Sequence, residues 1–357
     1  MTRGFEQGPD MTAQPDGGTR WIPRMAIGLG LGLLTFLVFG LWADLDRLAG
    51  TFQRFDEGLL VPIFLLSLAN YGIRAIRWHY YLRVAGHPIP PGLSAGVFAS
   101  GLAMSVTPGK IGEIIKVGLL RQGAGVPGPR TFSVVVTERL ADLFSVLALA
   151  AGGVLVLHGN VEVLIGGGLL TLAMFLLLAT GPGSRLTFRA AGILLRGKIP
   201  VAASVESAAL VRRLLSGRSL VVGLVLGLLA WFAEAAGLWL VVRGFPGGNL
   251  DIGPATFIYA VGTLAGALSF LPGGLIATEA TLAVLLARGA FPLLDASAGQ
   301  VAAVASTLLI RIATLWFAVL VGVIGLIWVG RRLARRTPPT DGPLVATHAG
   351  PTGTRRD

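Results

Sequence analysis

A small set of ionisable residues sits where an apolar sequence should have none. Glu113 and Lys116 interrupt one short apolar stretch, and Glu279 interrupts another. Glu138, Arg139 and Asp142 fall inside a long hydrophobic run, Glu234 inside a second and Arg311 deep in a third. A charge within an apolar helix is costly, so such groups face a partner or a wet cavity and mark a pathway. The planar fork of arginine suits phosphate. The carboxylates could neutralise the arginines in an empty site, recognise an amine on a substrate, or carry a proton. Structural ion pairing between helices is the alternative. It weighs most at Glu138, Arg139 and Asp142, because Glu138 and Asp142 form a like-charge i, i+4 pair that Arg139 only partly neutralises.

Other chemistries are excluded or unsupported. The chain has no cysteine, which removes disulfides, thiol nucleophiles and Cys-based zinc sites. It contains no Walker A loop, metalloprotease histidine pair or nucleophile elbow. His79, His87, His158 and His348 scatter toward loops and ends, and neither a metal nor a cofactor is expected. Gly28, Gly30 and Gly32 alternate within an apolar helix with no preceding strand, a sign of helix packing and not of a nucleotide fingerprint.

The elements that must position the charges are membrane helices. Hydrophobic residues make up 54% of the 357 residues and charged residues 13%, about half the charged share of a soluble domain; the mean hydropathy is +0.75. Runs at about 25 to 44, 59 to 78, 131 to 157, 161 to 180, 219 to 242 and 299 to 329 can cross a hydrocarbon layer roughly 30 Å thick. The net charge of +11 could suggest nucleic acid, but the Lys and Arg residues cluster between and at the ends of these runs, and membrane topology explains them better. Tyr71, Trp78, Tyr80 and Tyr81 read as an interfacial aromatic belt. Residues 184 to 215 read either as an amphipathic surface helix or as a plain basic loop. The first 24 residues and the tail from 330 onward, rich in Pro, Gly and Thr beyond Thr337, read as disordered ends.

Two stretches, 92 to 106 and 254 to 270, are barely long enough to span. They run into Pro108-Gly109 and Pro272-Gly273-Gly274, beyond which lie the short charged stretches 110 to 122 and 275 to 288. Proline removes a backbone donor and glycine relaxes φ, so each reads as a helix–break–helix hairpin that enters and leaves by one side. With the N-terminus inside, the acidic loop at 44 to 57 lies outside. The arginine-rich loop from 181 to 218 and the C-terminal arginines then lie inside. The chain also repeats itself: Thr107-Pro-Gly with Glu113, followed by a span bearing Arg139, answers Leu271-Pro-Gly with Glu279, followed by a span bearing Arg311. The fold class is therefore an all-α polytopic membrane protein, an inverted-topology repeat with two re-entrant hairpins. Repeat one covers about 58 to 157 and repeat two about 219 to 329, within a membrane domain at 25 to 329. The symmetric quartet Arg139, Arg311, Glu113 and Glu279 is expected to converge on one cavity. The half-helix N-termini add unpaired N–H groups suited to an anion.

The motifs Arg74-Ala-Ile-Arg-Trp78, Thr107-Pro-Gly-Lys-Ile-Gly-Glu113 with Lys116, Glu138-Arg-Leu-Ala-Asp142, Leu271-Pro-Gly-Gly274 with Glu279, and Arg311 before Trp316 resemble those of the lysylphosphatidylglycerol synthase transmembrane-region family, also called the flippase-like domain or UPF0104. The resemblance covers about 58 to 329. It implies a multi-pass protein of a bacterial or archaeal inner membrane, related to the module that moves aminoacylated phosphatidylglycerol between leaflets. The implied partners are membrane lipids and, beyond them, lipid-modifying enzymes. Two positions depart from the pattern, Ile276 where the family often has Gly and Thr278 where it often has Arg. The expected function is translocation or binding of a polar lipid headgroup without enzyme chemistry, by Arg139, Arg311, Glu113, Glu279, Lys110, Lys116, Glu138 and Asp142. An enzyme or accessory subunit of lipid or polyprenyl-linked glycan assembly is the alternative.

Overall fold

The computed structural model describes residues 44–107, 112–156 and 201–335, with isolated positions between 30 and 41. The expectations placed on Lys110, on the Pro108-Gly109 break, on the run at 161 to 180 and on the two chain ends fall outside these residues. The described residues form helices joined by turns, with no strand among them. After a short α1 (Leu45–Phe52), a 3-10 turn leads into α2 (Leu60–Val84). Then come α3 (Pro91–Leu102), continued by a 3-10 turn at Ala103–Val106, α4 (Ile115–Ala124) and α5 (Gly128–Val156). The second set is α6 (Val201–Leu214), α7 (Gly217–Gly244), α8 (Ile252–Leu268), a 3-10 turn at Pro272–Gly274, α9 (Ala277–Gly289), α10 (Ala296–Arg311), a π-helical turn at Ile312–Trp316 and α11 (Phe317–Ala334).

Length and composition divide these helices by task. Glu57–Val84, Gly217–Gly244 and Ala296–Ala334 are long and apolar enough to cross a membrane. Helix α5 has the length, at 29 residues, but carries Arg130, Glu138, Arg139 and Asp142. By contrast, the 12 residues of α3 and 17 of α8 reach only about 18 and 25 Å at 1.5 Å per residue. Both fall short of the roughly 30 Å hydrocarbon layer, and local chemistry sets their limits. Pro91 opens α3 at a position where the missing N–H costs nothing. In the second break Gly273 and Gly274 adopt φ of 63° and 66°, which a side chain would resist. The chain then enters α9 through Ile276 at φ 70°, an uncommon conformation for a β-branched residue. Asp295 caps α10, its carboxylate accepting from the Ala298 N–H at 2.9 Å. Helix α11 continues to Ala334, past the expected end at 329, with Arg331 and Arg332 in its last turn, where cations suit the helix dipole.

The packing is an exchange between halves. Helix α2 lies against α7; α3 packs on α11, and its counterpart α8 packs on α5. Within each half the hairpin arms pair, α3 with α4 and α8 with α9, and each second arm packs on the span that follows. The turn at Ala103–Val106, just before the undescribed first break, touches the one at Pro272–Gly274. Close approach of α7 depends on small residues: a Cβ on Gly227 would stand 2.1 Å from Ser145 Oγ and 2.9 Å from Arg77 Nη1.

Two readings from sequence change here. The aromatic belt is not one: Tyr71, Trp78 and Tyr81 are buried in the protein core, because they share a helical face with Arg74 and Arg77 and pack around them. The described part of 184 to 215 is a helix, α6, with Ala208 and Val211 packed against Phe132, Val136 and Leu140 of α5.

Candidate functional site

Each half brings an arginine from its long span onto a glutamate from its hairpin's second arm. Arg139 Nη2 lies 3.3 Å from Glu113 Oε2, and Arg311 Nε donates to Glu279 Oε1 at 2.6 Å. In the sequence Arg139 answers Arg311 and Glu113 answers Glu279, so the two pairs join matching motifs. Both arginines line a single cavity of about 440 Å³, within the usual size of small-molecule sites. Glu113 and Glu279 stand behind them and are buried. Helices α2, α5, α7 and α8, together with the second break and the π-turn, form the walls.

Around Arg139 the charges form a network. Lys116, fully buried, places Nζ 3.2 Å from Glu113 Oε2 and 2.9 Å from Glu138 Oε2, between the rings of Trp78 and Phe98, each centroid 4.8 Å away. Arg139 also reaches Glu138 Oε1 at 3.3 Å and Asp142 Oδ2 at 3.2 Å. The residues expected in the site did not include Arg74 and Arg77. The structure turns both inward: Arg74 Nη2 donates to Asp142 Oδ2 at 3.3 Å, Arg77 pairs with Asp142 Oδ1, and Trp231 Nε1 donates to Oδ1 at 3.2 Å. Two arginines one turn apart within a run otherwise able to span were the available signal. A like-charge pair on α5 is thereby converted into an acceptor platform for four cations. Arg139 remains 26% exposed, on the cavity side.

The second half is sparser. Arg311 Nη2 also donates to the Gly273 carbonyl at 2.8 Å, which ties the arginine to the break. Arg311 ends α10, and the wide π-turn after it is a feature often found at functional sites. The Tyr71 hydroxyl crosses from α2 to donate to the Thr314 carbonyl in that turn at 2.5 Å. Glu234 on α7 lines the cavity and accepts from the Tyr259 hydroxyl at 2.7 Å. Tyr259 was not foreseen, since a tyrosine in an apolar helix has many structural uses. No cluster of potential metal ligands occurs among the described residues.

The sequence profile of the Lysylphosphatidylglycerol synthase TM region matches residues 25–322. The chain belongs to this family. It is similar to a UPF0104 membrane protein of Methanothermobacter thermautotrophicus, 27% identical over 318 residues, which cover 82% of this chain and 90% of that one. It is also similar to the Glycosyltransferase AglD of Haloferax volcanii, 24% identical over 124 residues, 34% of this chain and 20% of that protein. The chain thus spans about a fifth of the length of the latter relative. Family membership and the apolar helices together make this a multi-pass membrane protein.

Proposed function

We propose that this protein carries a phosphate-bearing polar lipid headgroup through the cavity between its two halves, moving the lipid between leaflets without making or breaking covalent bonds. The observation that carries the reading is the shared cavity: two arginines that answer each other in the sequence line one cavity, mostly apolar, whose lining includes exposed Phe270 and Leu271. A headgroup fits the charged interior while its acyl chains pass the apolar rim. In this reading α3 with α4 and α8 with α9 are re-entrant hairpins from opposite sides of a bacterial inner membrane, and both chain ends are cytoplasmic. The similarity to part of a glycosyltransferase favours a second reading, an accessory role beside an enzyme that builds polyprenyl-linked glycans. That reading predicts product formation only with a partner enzyme.

The test is purified protein in liposomes carrying acyl-chain-labelled phospholipids and an outside-only quencher. The intact protein should expose inner-leaflet lipid to the quencher, and Arg311→Ala or Arg139→Ala should cut the rate at least tenfold. Arg332→Ala, half-buried against Trp328 at the end of α11 and outside the cavity lining, should leave it unchanged. Equal rates with and without protein would reject translocation.

A further inference from the structure

The two arginines of the cavity differ in what each leaves behind when it turns to an anion. Arg139 shares its carboxylates with other cations: Glu113 also meets Lys116, Glu138 meets Lys116 and Arg74, and Asp142 meets Arg74 and Arg77. Each of them keeps a cation if Arg139 gives up its contacts. Glu279 has no such reserve. Its side chain is fully buried; Oε1 accepts from Arg311 Nε at 2.6 Å, and Oε2 has no hydrogen-bond partner among the described residues. The neighbouring elements offer no second cation. Helix α9 packs on α8 and α10. Helix α8 carries one titratable side chain, Tyr259, whose hydroxyl is committed to Glu234 of α7. Helix α10 carries Arg311 alone, and on α9 itself the other charge is Arg288, exposed in the last turn.

A phosphate on Arg311 competes for the N–H groups that hold Glu279 and the Gly273 carbonyl. A buried carboxylate stripped of its cation is costly, and a proton removes the charge. Anion and proton therefore favour each other's binding, by the same factor in both directions. Resting on the translocation reading above, we infer that Glu279 is a proton site and that one proton crosses the membrane with each anionic headgroup. The exchange balances. The lipid phosphate replaces the Glu279 carboxylate on Arg311, and Oε2 takes a proton from the aqueous side on which the headgroup entered. When the headgroup leaves on the other side, that O–H ionises there and the Arg311–Glu279 pair re-forms. One negative and one positive charge travel together, so the cycle moves no net charge. The first half, whose carboxylates keep their other cations, takes no proton.

Liposomes holding the protein, acyl-chain-labelled phosphatidylglycerol and a pH gradient of about one unit decide this. One proton per lipid sustains a leaflet ratio of up to about tenfold per pH unit, with lipid gathered on the alkaline side. Wild-type protein should hold a ratio at least about threefold above that of protein-free liposomes. A protonophore should abolish it, and a membrane voltage without a pH gradient should produce none. In weakly buffered detergent, adding a short-chain phosphatidylglycerol should draw about one proton onto each wild-type protein and none onto Glu279→Gln. An even distribution under the gradient in the wild-type protein, a measurement that needs no variant to fold, would overturn the coupling, as would a ratio set by voltage alone. In either case lipid that still crosses at a protein-dependent rate leaves translocation standing. A gradient response or proton uptake retained in Glu279→Gln would overturn the assignment to Glu279. If no lipid crosses, the translocation reading itself fails.

Discussion

The two halves of this molecule follow one plan of helices and fill it with different chemistry. In the first, Arg139 belongs to a seven-member ionic network that locks α2, α4 and α5 together and reaches α7 through Trp231. In the second, Arg311 holds one glutamate and one backbone carbonyl. Repetition thus supplies the scaffold and the arginine–glutamate pair, and the surroundings of each pair set how firmly it is held. The first is over-braced, suited to a fixed wall. The second grips the Pro272–Gly274 turn through a single hydrogen bond.

That contrast should show most strongly when each network loses an acceptor. Asp142→Ala strips Arg74, Arg77, Arg139 and Trp231 of a shared partner, and breaking buried pairs of this kind costs about 3–5 kcal/mol; thermal unfolding in detergent should show a large fall or loss of folded protein. Glu279→Ala leaves Arg311 its bond to Gly273 and should cost only roughly 2 kcal/mol, the scale of one hydrogen bond to a charged group. Equal losses would erase the distinction between the halves.

How far this was legible in the sequence follows from the same residues. The described helical runs and the break at Pro272–Gly274 were readable because apolar length and Pro-Gly pairs are local signals. Arg139, Arg311, Glu113 and Glu279 stood out because charge in an apolar run is rare. Arg74 and Arg77 did not, since charges near the end of a span look the same whether they meet water or, as here, Asp142 of α5. Trp78 was misread for a related reason: an aromatic near a span end suits an interface, and only the fold puts Lys116 beneath its ring. The bond between Tyr259 and Glu234 joins α8 to α7 and depends on packing that no local pattern records.

A smaller effect probes the close contact between halves. Gly227→Val would drive its side chain into Ser145 and Arg77, and overpacking of this kind costs roughly 1–3 kcal/mol. A conservative change at Val225, which is exposed on the same helix, should do nothing measurable. Smaller still, and of opposite sign, Ile276→Gly should stabilise by up to about 1 kcal/mol. The strain of a left-handed β-branched residue, of order 1–3 kcal/mol, then outweighs the entropy that glycine adds to the unfolded chain. No gain in unfolding temperature would contradict the strained entry to α9.

The smallest expected effect lies outside the spans, in the connector after α2. Burial, and then the neighbouring Arg130, lower the pKa of His87 from its ordinary value near 6.5. Arg130 also pairs with Glu206 of α6 at 3.0 Å. The folded state therefore disfavours the protonated ring. Stability is full above pH 6.5 and declines as pH falls from there toward the lowered folded value. His87→Asn should flatten that decline. The matching connector of the second half, from Phe245 to Asp251, has no histidine, so no second step of this kind is expected between pH 5 and 7.

The central claim, that lipid headgroups pass through the cavity between the halves, is tested most directly by filling it. The chain has no native cysteine, so a single cysteine at Thr263, which lines the cavity, can be labelled with a bulky polar thiol reagent in the folded protein. A second variant carries its cysteine at Leu229 on the exposed face of α7. Labelling at 263 should lower the rate of lipid movement in liposomes at least tenfold, and a short-chain phospholipid should slow the labelling itself, while labelling at 229 changes neither. Full labelling at 263 with an unchanged rate would place the lipid route elsewhere and contradict the account.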